Sequence, residues 1–543
     1  MAEIVFSGIP ASKGLALGYI WRPATGAACG EATQGDAALT GGDADALRKA
    51  IATAIGDLSQ LEGTLSGEEA EIVGMQLAFL SDDELARPAF EAIEAGQSAV
   101  VAWTEVMNAE IATYEVSDDE YFRARAIDFQ DIRDRVLAAL TGVQSGVLQV
   151  PRGAILLASD LRPSQFLSAR WGAGCGIALT DGSPTSHVAM LARGRGLPMV
   201  VGLAGELQDL EGTALLDGTT GILVSGPDAE RLAEGKARLE ADSAARKQSA
   251  ALAGEPALSR NGVRVAIHAT IADPAELDGL DPSHFDGIGL VRTELFLDKL
   301  EKLMDEETQF ATYRRILTWA DGKPVTVRTL DAGGDKPIKG YTVANEANPF
   351  LGIRGIRLSL RQPEVFRVQL RALARAAAYG RLRIMLPMVT LPDEITTARE
   401  LLDAEITALA AAGVDHGRPA LGIMVEVPAV AITPERFDAD FYSIGSNDLV
   451  QYTCAVSRDE AGVAHLGSAI DPSVLALIAR VVEHGRATGR EVSLCGDAGS
   501  DPRMVPHFLA AGLRSLSVQY GLGGAVKATI AGLDLVDHRA GQA

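Results

Sequence analysis

Phe441-Tyr442-Ser443-Ile444-Gly445-Ser446-Asn447-Asp448 packs two signals into eight residues. A short apolar run, Phe441–Ile444, reads as a buried strand. A polar turn ending in a carboxylate follows at once. The same unit recurs along the second half of the chain. Candidate strands are Val263–His268, Gly287–Val291, Val325–Leu330, Leu382–Leu386, Leu421–Val425, Phe441–Ile444, Glu491–Leu494 and Ser515–Val518, with long helical stretches between them. Eight βα repeats in this length predict a (β/α)8 barrel over 257–543.

Such barrels carry their chemistry at the C-terminal ends of the strands. Those positions hold Arg292-Thr293-Glu294, Arg328 leading to Asp331 and Lys336, a loop ending in Arg354, then Glu426, Asn447, Asp448, Arg458 and Cys495. Guanidinium groups suit a phosphate plus a carboxylate, because they bind both in bidentate fashion. Glu426 and Asp448 suit Mg2+, a hard cation that takes oxygen ligands and keeps water or substrate oxygens. A thiol at Cys495 can protonate an enolate. Singly, each has a plainer explanation: a surface ion pair, inert packing, a helix cap. Their placement on successive strand ends favours one shared site.

The first half reads differently. Residues 1–20 suggest strand and turn, 25–42 a loop, and Asp43 to about Leu140 a helical region with apolar residues three and four apart. Strand and helix patterns alternate over 150–225, predicting an α/β unit: strands Ala154–Ala158, Gly176–Leu179, Pro198–Val201 and Ala214–Asp217, helices Ser164–Arg170 and Ser186–Arg195. A helical linker covers 228–252, with Gly235 as a breaker and a possible hinge. His187 follows the turn Gly182-Ser183-Pro184-Thr185-Ser186 at a predicted helix start, where free N–H groups welcome an anion. A histidine there can accept a phosphoryl group.

Composition narrows the class. The 543 residues are 47% apolar and 22% charged, with net charge -23 and no dense Lys/Arg run, which disfavours nucleic-acid binding. Cys29, Cys175, Cys454 and Cys495 are too scattered for zinc or a disulfide framework. No apolar run reaches the roughly 18 residues of a membrane span, and the expected location is cytoplasmic.

The stretch Thr180 to Leu203 resembles the phosphohistidine motif of enzymes that use phosphoenolpyruvate. Gly287–Glu294, Met424–Pro428 and Ser443–Tyr452 resemble the barrel motifs of the same superfamily. Gly8–Gly14, Ser117–Tyr121 and Asp131–Arg135 are similar to Enzyme I of the bacterial phosphotransferase system, the phosphoenolpyruvate–protein phosphotransferases. The resemblance spans nearly the whole chain. It implies a swivelling phosphohistidine domain (1–25 and 145–227), an inserted helical carrier-binding subdomain (26–144), a linker (228–256) and a phosphoenolpyruvate-binding barrel. It implies transfer from phosphoenolpyruvate to His187 and on to a small HPr-like carrier, as the first step of sugar uptake or its regulation, by a homodimer joined through the barrel. By position, Arg292, Arg328 and Asn447 would hold the phosphate. Arg354 and Arg458 would hold either end of the substrate, and Lys336 would assist binding. Glu426 and Asp448 would ligate Mg2+, and Cys495 would be the acid. Three segments depart from the usual pattern: Gly182-Ser183-Pro184, Val456–Glu460, and Asp160–Phe166, where Phe166 replaces a threonine expected near the histidine. A dikinase-like enzyme lacks room for its nucleotide domain, and a non-catalytic scaffold would not need the full set of strand-end residues.

Overall fold

The computed structural model describes residues 3–23, 43–63, 65, 68–115, 125–142, 148–205, 207, 210–334, 336–457 and 460–536. Arg458, Cys29 and the Ser117–Tyr121 stretch lie outside them. The chain divides into two compact units, Met1–Asp242 and Ser243–Ala543.

The first unit is built on an eight-stranded sheet. In spatial order its strands are Ile4–Ser7, Ile222–Ser225, Thr213–Asp217, Leu15–Trp21, Ala154–Ala158, Gly176–Leu179, Met199–Val201 and Ile9–Ser12. The four from Leu15–Trp21 to Met199–Val201 run parallel, and antiparallel strands flank them on both sides. The first two strands of the chain sit at opposite sheet edges with only Gly8 between them. A Cβ on Gly8 would lie 2.6 Å from the Val201 carbonyl oxygen, so only glycine permits that crossing. Ile222–Ser225 was not anticipated from sequence.

Leu15–Trp21 and Ala154–Ala158 are neighbours, and the crossover between them carries the helices Asp43–Glu62, Glu68–Leu80, Asp83–Glu94, Ala99–Glu115 and Ala126–Thr141. Leu47, Leu58, Trp103, Met107 and Ile132 form their core, which is continuous with Ile177 and Leu179 of the sheet and with Val188 and Leu191 of the helix His187–Arg195. A single core of this kind fixes the helices against the sheet, since burying each such side chain is worth about 1.5–3 kcal/mol.

The second unit is a closed barrel of eight parallel strands: Ala266–Ile271, Ile288–Arg292, Val325–Arg328, Leu382–Leu386, Ala420–Val425, Tyr442–Gly445, Val492–Cys495 and Ser515–Gln519. They are called barrel strands one to eight below. All eight expected strands are present. The first begins three residues later than its sequence pattern suggested. Val263 and Val265 are instead used in a hairpin before the barrel, where Ser259 N–H donates to Val263 O and Val265 N–H to Ala257 O. Both uses bury apolar side chains, so periodicity alone does not separate them.

Residues Ala229–Leu252 form one helix that runs through Gly235, so the expected breaker does not interrupt it. Among the described residues, no helix is long and apolar enough to cross a membrane.

Candidate active site

His187 opens the helix His187–Arg195. Ser186 caps it, its hydroxyl accepting from Ala189 N–H at 3.3 Å, and Gly196 closes it in the left-handed conformation. The preceding turn is pinned by Arg193, whose Nη1 donates to the carbonyls of Ala11 (2.8 Å) and Pro184 (2.9 Å). Ser183 and Thr185 hydroxyls meet at 2.7 Å.

The imidazole is oriented from the helical layer. Its Nδ1 lies 3.1 Å from Asp128 Oδ1 and 3.0 Å from Oδ2. Asp128 is buried and accepts a further bond from Gln76 Nε2 at 3.4 Å. The same Gln76 nitrogen donates to Asp131 at 3.2 Å, and Asp131 accepts from Ser164 N–H and Oγ–H. A carboxylate at Nδ1 selects the tautomer with its proton there, leaving a lone pair on Nε2. Asp128 and Gln76 were not singled out from sequence. The available signal was two carboxylates, Asp128 and Asp131, three apart and buried on a helix that also buries Phe129, Ile132 and Val136.

Phe166 is fully buried. Its ring packs on Trp171 at 5.2 Å, and the Arg195 guanidinium covers it at 5.2 Å. It adds apolar contact and no hydroxyl.

In the second unit, a cavity of about 340 Å³ opens at the C-terminal ends of the barrel strands. Arg292, Arg328, Lys336, Glu426, Asn447, Asp448 and Cys495 line it, as do Asp331 and Asp497. Glu294 sits behind the two arginines and accepts from Arg292 Nε at 3.2 Å and from Arg328 Nη2. Arg328 Nη1 also lies 3.3 Å from Asp331. The chain turns sharply after barrel strand seven at Gly496 (φ +117), where a Cβ would fall 2.4 Å from Ser446 Oγ. That turn carries Asp497 to Asn447, whose Nδ2 donates to it at 2.9 Å.

Arg354 occupies a different place from the lining. It is completely buried, bridging Asp331 (Nη2–Oδ2 2.9 Å) and Asp448 (Nη2–Oδ2 3.2 Å). Burial alone would raise the Asp331 carboxyl, yet Arg328 and Arg354 beside it hold it well below the usual range. Glu426 goes the other way. Burial, then the nearby charges of Asp448 and Asp331, push it up to about 8. Its Oε1 accepts from Met388 N–H at 2.6 Å. Met388 holds this position with φ +59, unusual for a residue with a side chain. Burial pushes the Cys495 thiol up to about 11, partly offset by a bond from Ser443. A thiol held protonated can donate to carbon, and a cation-rich rim can take a phosphorylated acid. Glu294 and Asp331 stand at strand ends marked in the sequence, but their supporting contacts, like that of Asp497, are set only by the fold.

Comparison with known proteins bears on both units. The family described as "PEP-utilising enzyme, PEP-binding domain" matches residues 246–535. "PEP-utilising enzyme, N-terminal" matches 7–125, and "PEP-utilising enzyme, mobile domain" matches 150–221. The chain is 35% identical over 529 residues to a phosphoenolpyruvate-protein phosphotransferase of Bacillus sp. (strain S), covering 95% of this chain and 91% of the relative. The counterpart from Geobacillus stearothermophilus is 35% identical over 531 residues, with the same coverage. Among solved structures, an NMR solution structure of Enzyme I is 25% identical, covering 44% of this chain and 99% of that one, with a TM-score of 0.34. Identity at this level over nearly the full length of both chains establishes that this protein belongs to the phosphoenolpyruvate-protein phosphotransferases, within the phosphoenolpyruvate-utilising enzyme family.

Proposed function

We propose that this protein moves the phosphoryl group of phosphoenolpyruvate to His187 Nε2 and then to a histidine of a small HPr-like carrier, releasing pyruvate. The carrying observation is the barrel-mouth cavity that gathers Arg292, Arg328, Lys336, Glu426, Asp448 and Cys495. Residues 257–543 are assigned to phosphoenolpyruvate binding, 1–25 and 145–227 to the histidine-bearing domain, 26–144 to carrier docking and 228–256 to the linker.

Arg292, Arg328 and Lys336 bind the phosphate and carboxylate oxygens, with Asn447 orienting the phosphoryl group. Arg354 and Arg458 are assigned to the same substrate, Arg354 by exchanging its bond to Asp448 for one to a substrate oxygen. Asp128 keeps the His187 proton on Nδ1, so Nε2 attacks without losing a proton. The P–O bond breaks as the P–N bond forms, and the enolate leaves. The Cys495 S–H then protonates the enolate carbon. Positioning and charge stabilisation supply most of the rate in such transfers.

Glu426 and Asp448 fit Mg2+. Two cavity-facing oxygen donors leave most coordination positions to water and substrate, as this ion prefers. The like-charge crowding that raises Glu426 is what a divalent cation relieves. When bound, Mg2+ neutralises charge on the phosphate and enolate oxygens. A homodimer and a role in sugar uptake or its regulation complete the proposal.

Incubation with phosphorus-labelled phosphoenolpyruvate and Mg2+ tests the reading. The expected result is an acid-labile label on the wild type, absent from His187→Ala and discharged by an HPr-like carrier. A wild type without label, or full labelling of His187→Ala, overturns it.

A further inference from the structure

Barrel interiors are ordinarily filled by bulky branched side chains. Below the mouth of this barrel, strands six and seven present hydroxyls instead. Ser443 and Ser493 face each other as direct partners across the two strands. Ser493 Oγ donates to Ser443 Oγ at 3.0 Å, and Ser443 Oγ donates to Cys495 Sγ at 3.2 Å. The sulfur otherwise packs among Leu290, Met385, Met424 and Phe441. Two O–H donors in series therefore point at one buried sulfur.

The chain of hydroxyls leads away from the cavity. Cys495 ends strand seven at the mouth, and Ser493 stands two residues nearer the strand's N-terminal end, which is the barrel floor. Ser443 is fully buried, whereas Ser493 keeps 8% of its surface. Glu491, just before the strand, is half exposed and pairs with Arg383 at 2.7 Å.

We propose that Ser443 and Ser493 are a proton relay that reloads Cys495 from the barrel floor while the mouth is filled by substrate or product. This rests on the function proposed above, in which Cys495 protonates the enolate. The step balances. The Cys495 S–H breaks as the pyruvate C–H forms, leaving a thiolate. The Ser443 O–H proton passes to sulfur, and Ser443 takes the Ser493 proton. Ser493 takes one from water, and a buffer acid neutralises the hydroxide. No electrons change hands. Burial makes the thiolate costly, so prompt reprotonation favours turnover.

The test uses the full chain with Mg2+, phosphoenolpyruvate and pyruvate at equilibrium. Two rates are compared: tritium loss from methyl-labelled pyruvate to water, and carbon-labelled pyruvate entering phosphoenolpyruvate. A working relay lets the abstracted tritium escape, so tritium loss keeps pace with carbon exchange. Ser493→Ala does not touch the sulfur, yet it should lower the ratio about fivefold or more. First-turnover labelling of His187 should stay within about twofold. Ser443→Ala should lower the ratio as well, and Ser493→Thr, which keeps the hydroxyl, should restore it. An unchanged ratio in Ser493→Ala refutes the relay, even if Ser443→Ala is impaired. A wild type that never labels His187 refutes the proposed function, and the relay with it.

Discussion

Asp128→Asn isolates what the helical layer contributes to the nucleophile. The side chain keeps its shape and an oxygen for Gln76 Nε2, now 3.4 Å away. Its amide, however, can turn its NH2 toward His187 Nδ1, favouring the tautomer with the proton on Nε2. That tautomer has no lone pair where the phosphorus must be attacked. A hydrogen bond to a charged partner is worth about 1.5–3 kcal/mol. At about 1.4 kcal/mol per tenfold in rate, its loss slows phosphorylation by about 10- to 150-fold. Rapid-quench measurement of label on His187 from phosphoenolpyruvate reads this directly, with binding saturated so that only the transfer step is seen. The melting temperature should move little, because the packing is unchanged. Labelling within about threefold of wild type would refute the assignment of Nδ1 to Asp128 and of Nε2 to the attack.

Glu426 gives a pH prediction. Its folded value of about 8 lies above that of an unfolded chain, so the folded state binds the extra proton. In chelator, stability should be highest at low pH within the carboxylate range and fall as pH rises toward 8, then level off. Urea unfolding across pH checks this, and Glu426→Gln should flatten the slope. Apparent Mg2+ affinity should rise over the same interval, measured by calorimetry, because the ion displaces that proton. Gly496→Ala forces a side chain into a left-handed turn and onto Ser446 Oγ, so it should cost the barrel about 1–3 kcal/mol in urea and slow pyruvate formation. Phe166→Thr restores the usual family residue but empties a packed site between Trp171 and Arg195. It should lose about 3 kcal/mol in thermal unfolding without speeding His187 labelling.

The barrel was readable because each strand repeats one device: a short apolar run, then polar residues at its end. Tyr442–Gly445 and Val492–Cys495 differ from their sequence reading by a single residue at each end. Ile222–Ser225 is as long as strands that were read; it was missed because the turn Gly218–Gly221, which folds it back on Thr213–Asp217 as a hairpin, was not used as a signal. The early start assigned to barrel strand one has the cause given above, two apolar uses with one signature.

The candidate site divides along the same line. His187, Glu426, Asp448, Arg292, Arg328 and Cys495 were visible in sequence because a motif or a strand end marks each of them. Asp128, Gln76, Glu294 and Asp331 were not, since each matters through a partner 23 to 59 residues away. His187 meets Asp128 across 59 positions, and Arg354 meets Asp448 across 94. Local periodicity reports which face of an element is buried; it carries no record of which buried polar groups meet.

By itself, then, the sequence determined the two architectures and marked the candidate histidine and strand-end residues, because these follow from short-range pattern and residue type. Only the tertiary structure decided that Asp128 holds the histidine's Nδ1, that Arg354 lies bridged between two carboxylates, and that serines stand behind the thiol. Those facts depend on burial, where water no longer competes and each polar group must find a partner within the fold.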